Sequence, residues 1–349
     1  MASSKLVMKT SNKNSVMSDW AAYAAAVWSF LYGVLGLYWA LGGAGFPFGE
    51  NDARGHMMGS FLSHASADAG GMIIALVGIF SAGLALASVK VWRSRWISTF
   101  LLAYAWTMCF VLIVAIPDTR MIQNVAYAFM LHFHLMDWPV INQILCMVGG
   151  VLWGAAAMSY WRRMRAACGA CGRVATAGAA FISINRLGKW VTWLAAIFAL
   201  PYGIVRWAWA AGYPLGASDH LLIADQTISN RLVEFVLGGL PIGGAVLTLG
   251  FIMRWGEAFP RWCLFLAGKR VPTLLAVIPA AFIAALMTNA GLKISPVIIS
   301  GIMKGSINGD NWGEMGPTLF WLPWGIALGM ATIAYYIRRR GRCRQCGRL

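Results

Sequence analysis

Apolar runs of twenty or more residues, parted by short polar or glycine-rich breaks, dominate the pattern along this chain of 349 residues. A helix needs about 20 residues to cross about 30 Å of hydrocarbon. Eight runs reach that length, at roughly 20–44, 69–89, 97–117, 141–161, 188–212, 231–254, 272–292 and 317–337. The pattern predicts an all-α membrane protein with eight transmembrane helices. Residues 1–19, rich in Ser, Lys, Asn and Met, read as a short flexible tail. The first apolar run is too long for a cleavable signal and continues as a full span.

The eight runs fall into two groups of four. The fourth run closes on Tyr160 and a basic stretch that ends in Cys168, Cys171 and Gly172, and the eighth closes on Tyr335 and a basic stretch that ends in Cys343, Cys346 and Gly347. A slide of 175 positions pairs Gly150 with Gly325, Gly154 with Gly329, Arg163 with Arg338 and all four cysteines. Each group also opens alike, with Tyr32-Gly33, Trp39-Ala40, Gly42 and Gly49 against Tyr202-Gly203, Trp209-Ala210, Gly212 and Gly216. Self-similarity at both ends of a unit argues duplication. The expected organisation is a cytoplasmic tail at 1–19, a four-helix repeat at 20–173, a linker at 174–187 and a second four-helix repeat at 188–349. An even number of spans per copy gives both copies one orientation.

Composition agrees with this pattern: 59% of residues are hydrophobic and 11% charged, where soluble domains carry about 25% charged residues. The formal charge of +16 would suggest nucleic acid if it were spread over the chain. With the N-terminus in the cytoplasm, however, 22 of the 28 Lys and Arg fall on the inner side, and of the acids only Asp19 and Glu257 join them. That asymmetry is the positive-inside rule, with both termini cytoplasmic and anionic lipid headgroups as the partner of the basic loops.

Two constellations carry candidate chemistry. Two Cys-x-x-Cys-Gly knuckles, Cys168/Cys171 and Cys343/Cys346, match the donor set of a four-thiolate zinc site. One shared structural zinc, a redox pair and no bound species are the readings this spacing leaves open. Arg206, about six residues inside its span, has Glu234 as the nearest candidate partner for an intramembrane ion pair; an arginine snorkelling to the headgroups is the alternative. The five histidines and several Asp and Met residues gather in the outer connections, a weak signal for a transition metal. The outer segments 119–138 and 293–304 are apolar enough to lie at the interface or re-enter the membrane.

The motif Tyr38-Trp39-Ala40-Leu41-Gly42-Gly43, together with Trp255 to Trp262 and Gly268 to Pro272, resembles a group of uncharacterised multi-span bacterial integral membrane proteins. The first helix is also similar to a four-span bacterial domain of unknown function. The resemblance implies a bacterial inner-membrane location and carries over no catalytic or binding residue.

No nucleotide-binding Gly-x-x-x-x-Gly-Lys loop, no His-Glu-x-x-His and no Gly-x-Ser-x-Gly is present. Three classes of function stay open. The first is binding or movement of a small or lipophilic solute between two pseudo-symmetric halves. The second is an accessory, immunity or stress-related membrane component, and the third a membrane oxidoreductase using cytosolic thiols.

Overall fold

The computed structural model describes residues 2–92, 94–133, 135–165, 167–168, 171–173, 180–218, 227–261, 263–341, 343 and 346–347, with backbone alone for 2–18 and 180–185. Among these residues all regular structure is helical, apart from one isolated β-bridge between Ala258 and Arg270. Eight helices are long and apolar enough to cross a membrane.

The helices are α1 (Ala2–Ala40), α2 (Ala67–Ala87), α3 (Arg95–Phe110), α4 (Arg120–Ala128), α5 (Trp138–Met164), α6 (Ala180–Ala210), α7 (Ile228–Leu249), α8 (Thr273–Met303) and α9 (Trp321–Arg339). A short turn at Trp312–Met315 and a 3-10 stretch at Gly316–Phe320 lead into α9. The chain divides into two compact units. The first holds 1–121, 134–177 and the C-terminal tail 342–349; the second holds 122–133 and 178–341.

Two sequence expectations need correction. Residues 2–18 continue α1 rather than forming a flexible tail. No Pro or Gly interrupts this stretch, so the helix nucleated in the apolar span extends backwards at one backbone hydrogen bond per residue. Segment 293–304, read as lying at the interface or re-entering the membrane, instead prolongs α8 without a break to Met303. Lys293 is buried there. Its long apolar stem lets a helix carry it through packed surroundings.

In the first unit α1 and α2 cross with their backbones almost touching. A Cβ at Gly78 would lie 2.5 Å from the Gly33 Cα, and one at Gly71 would lie 2.6 Å from the Ala40 nitrogen. The second unit repeats the device between α6 and α7, where a Cβ at Gly203 would approach the Gly238 carbonyl at 3.0 Å. Small residues at such crossings let dispersion and polar contacts replace the hydrophobic effect, which is weak between helices in lipid. Not every glycine on these helices has this role: Gly83, Gly239 and Gly243 face open space.

The first helix of each unit ends on the same turn. Gly42 and Gly212 have φ of +88° and +87°. The Gly42 amide bonds the Trp39 carbonyl at 3.1 Å, and the Gly212 amide bonds that of Trp209 at 2.9 Å. This is a left-handed helix cap that glycine adopts at low cost. Beyond the first cap the chain folds back, and Phe46 and Phe48 pack edge-on beneath the buried Trp39.

The last helices end alike too. Tyr160 on α5 and Tyr335 on α9 are buried. Arg163 donates to the Ser88 and Val89 carbonyls at 2.7 and 2.6 Å, just past the end of α2. Arg338 donates to the Phe251 carbonyl, just past the end of α7. Each guanidinium thus covers a negative helix C-terminus.

Candidate metal centre and buried ion pairs

The knuckles follow directly from these helix ends. After α5 closes at Arg165 the chain turns through Cys168 to Gly172, whose amide bonds the Cys168 carbonyl at 2.7 Å. After α9 the Gly347 amide bonds the Cys343 carbonyl at 2.9 Å. Gly172 and Gly347 have φ of +68° and +67°, so the two five-residue turns share one hydrogen bond and one left-handed position. A side chain there would carry strain, and at Gly172 a Cβ would also meet the Arg162 Nε at 2.9 Å.

The turns present four sulfurs to one another inside the first unit. The Sγ atoms of Cys168, Cys171, Cys343 and Cys346 all lie within 4.8 Å of one another. Cys168 faces Cys343 at 3.9 Å and Cys171 faces Cys346 at 3.5 Å. Both pairs are separated by 175 positions, the offset at which the two knuckle sequences align. None of the four is disulfide-bonded. Four sulfurs each about 2.3 Å from a tetrahedral zinc sit about 3.8 Å apart, so this spacing matches the donor set of that ion. Burial, together with hydrogen bonds with the other three sulfurs, pushes the Cys171 thiol up to about 11 against the lowering effect of a backbone hydrogen bond from Arg173. Such crowding disfavours charged sulfur until a cation takes the place of the protons.

In the second unit Arg206 and Glu234 meet. The Arg206 Nη1 lies 2.7 and 2.8 Å from the two carboxylate oxygens. The guanidinium stands over the Tyr202 ring at 5.0 Å and the Trp209 ring at 4.9 Å. Tyr202 lies one turn before Arg206 on α6 and Trp209 almost one turn after it, spacings that place all three on one helix face. Glu234 is buried. The pair is therefore a neutral unit flanked by aromatic faces, with one guanidinium nitrogen serving both carboxylate oxygens.

The first unit holds a larger ionic network that sequence reading missed. Arg120, at the start of α4, is 1% exposed. Its Nη1 donates to Asp52 at 2.7 Å, its Nε to Asp118 at 3.0 Å, and its Nη2 to both aspartates at 2.5 Å. Gln143 on α5 completes the shell: its amide donates to Asp118 at 2.9 Å and its carbonyl accepts from the Asp118 backbone at 3.1 Å. Burial alone would lower the Arg120 pKa, but the hydrogen bonds and charges of Asp118 and Asp52 outweigh it and raise that pKa above its ordinary value.

Farther out, Arg54 pairs with Asp137, which caps α5 by accepting from the Val140 amide at 3.1 Å. Burial would raise the Asp137 carboxyl. The Arg54 hydrogen bond, the Val140 amide and the charges of Arg54 and Arg120 overcome it and hold that carboxyl below the usual aspartate value. The sequence clue to this network was the adjacent Asn142 and Gln143, both buried on an otherwise apolar helix. Asn142 in turn accepts from the Tyr32 hydroxyl at 3.0 Å.

Among the described residues the histidines join no cluster of metal donors. His56 and His64 stack edge to face at 5.7 Å, and among the described residues the four cysteines are the one cluster that could hold a metal ion. His134, His220, Asp219 and Asp225 lie outside the described residues. Comparison with known proteins adds nothing to the geometry, since no family model, curated protein or solved structure matches this chain.

Proposed function

We propose that this chain is a multi-pass membrane protein made of two like-oriented four-span repeats, and that Cys168, Cys171, Cys343 and Cys346 hold one structural zinc ion on its cytoplasmic side. The observation that carries the metal reading is the gathering of four sulfurs, none disulfide-bonded, within 4.8 Å. Four thiolates fill a tetrahedral shell and leave no open position, the pattern of structural rather than catalytic zinc. The ion would tie the tail at 343–346 to the end of the fourth span at 168–171 and so close the intervening chain into a ring. Supporting the repeat are the matched caps at Gly42 and Gly212, the matched knuckle turns at Gly172 and Gly347, and the matched reach of Arg163 and Arg338 to helix ends. The inner placement of the knuckles rests on the distribution of Lys and Arg.

Purified protein, prepared without chelator, should contain about one zinc per chain, the stoichiometry of a single four-thiolate site. Replacing zinc with cobalt should give the intense visible bands of a tetrahedral thiolate site, and Cys343→Ser should abolish them. Metal-free protein with all four knuckle thiols open to titration, and unable to take up cobalt, would end the proposal.

A further inference from the structure

The connection between α7 and α8 is a built hairpin with an apolar tip and basic flanks, and neither the cysteine cluster nor the buried ion pairs described above use it. Its two arms pair at Ala258 and Arg270. The Phe259 amide bonds the Lys269 carbonyl at 3.0 Å, the Gly268 amide returns to Phe259 at 2.9 Å, and the Val271 amide bonds the Glu257 carbonyl at 3.0 Å. The base is clamped by α9. Arg339 donates to the Glu257 and Val271 carbonyls at 3.2 and 3.0 Å, and the Tyr335 hydroxyl donates to the Gly256 carbonyl at 2.8 Å.

The tip is held out by this base and, among the described residues, stays exposed. Leu264 is 79% exposed, Phe265 89% and Leu266 45%, in a single 3-10 turn at Leu264–Leu266. Arg254, Arg261, Lys269 and Arg270 flank it along the chain and are exposed. The one acid of the hairpin, Glu257, lies near Arg338 at 3.7 Å. An exposed apolar tip flanked in sequence by cations is the composition of an interfacial anchor for anionic lipid. The hairpin is also tethered at both ends to candidate spans, which end at Leu249 and restart at Thr273, so a bilayer surface is the apolar medium within its reach.

We infer that the hairpin at 257–271 is a membrane-surface anchor, with Leu264 and Phe265 inserted among the headgroups of an anionic leaflet and Arg261, Lys269 and Arg270 on lipid phosphates. This rests on the membrane reading above, and the test separates the two. Phe265 is replaced by an environment-sensitive fluorescent amino acid, which its exposure allows without disturbing packing. The full-length protein is reconstituted into phosphatidylcholine vesicles with or without phosphatidylglycerol, and the probe is challenged with brominated lipid and with iodide on both sides.

With phosphatidylglycerol present, emission should shift to the blue, bromolipid should quench it and iodide should not. Removing the anionic lipid, or changing Arg261, Lys269 and Arg270 to Gln, should return the probe to water. A probe open to iodide in anionic vesicles would overturn the anchor, and one shielded from both quenchers would overturn it in favour of a protein partner. The same probe at Leu247, exposed on α7, reports the span independently. If bromolipid fails to quench there, the membrane reading itself has failed.

Discussion

Removing the Arg120 side chain tests the buried network most directly. The Asp52–Arg120–Asp118 group carries two carboxylates and one guanidinium, so it holds a net charge of −1 before Gln143 adds its amide. Arg120→Gln strands both carboxylates in a site where Arg120 was 1% exposed. Each charge-assisted hydrogen bond lost is worth about 1.5–3 kcal/mol, and the losses do not add. Breaking a buried ion pair by removing one partner costs about 3–5 kcal/mol. Two partners are stranded here, so the loss should fall in the upper part of that range, about 4–5 kcal/mol.

Reversible unfolding of the detergent-solubilised protein is the assay. The triple change Asp52→Asn, Asp118→Asn, Arg120→Gln keeps the shape and removes all three charges. It should recover most of the loss, because the penalty lies in uncompensated charge rather than in missing contacts. If Arg120→Gln costs less than about 1 kcal/mol, the value of an exposed pair, or if the triple change fares no better than the single one, the network is not holding this unit together.

Other outcomes follow from the same geometry. Any one of Cys168→Ser, Cys171→Ser, Cys343→Ser or Cys346→Ser should make the C-terminal tail more sensitive to protease, to a similar degree whichever knuckle is altered; sensitivity confined to one knuckle would argue against a shared ion. Arg206→Leu should lower the folded yield by stranding the Glu234 carboxylate, and Arg206→Leu with Glu234→Leu should restore much of it; equal impairment of the single and double variants in quantitative membrane blots would remove the pair from the argument. Asp137 contributes stability that is present above the ordinary aspartate range and lost as pH falls through its depressed value, so Asp137→Asn should flatten the acid limb of a melting-temperature profile. Gly78→Val drives its Cβ to 2.5 Å from the Gly33 Cα and should cost about 1–3 kcal/mol or more, while Gly83→Ala, with nothing within 4 Å, should be neutral in the same unfolding assay.

The long apolar helices were legible because a run of that length and hydropathy has few other uses, and the knuckles because two Cys-x-x-Cys-Gly patterns at one offset are hard to produce by chance. Arg206 stood out as a charge inside an apolar run. The unread parts share one physical cause: hydropathy marks where a residue sits along the chain and says nothing about what folds onto it. Asp52, Asp118 and Arg120 lie in connections, where charge is ordinarily solvated, and only folding takes Arg120 and Asp118 out of water. The extent of α8 was hidden for the converse reason, since the charge of Lys293 ends the apolar run while the helix continues to Met303. Gln143 points to the remedy. A buried amide on an apolar helix must find hydrogen-bond partners, and partners in an adjoining connection must then be buried with it. Polar residues inside apolar runs are therefore evidence about the connections as well as about the helices that carry them.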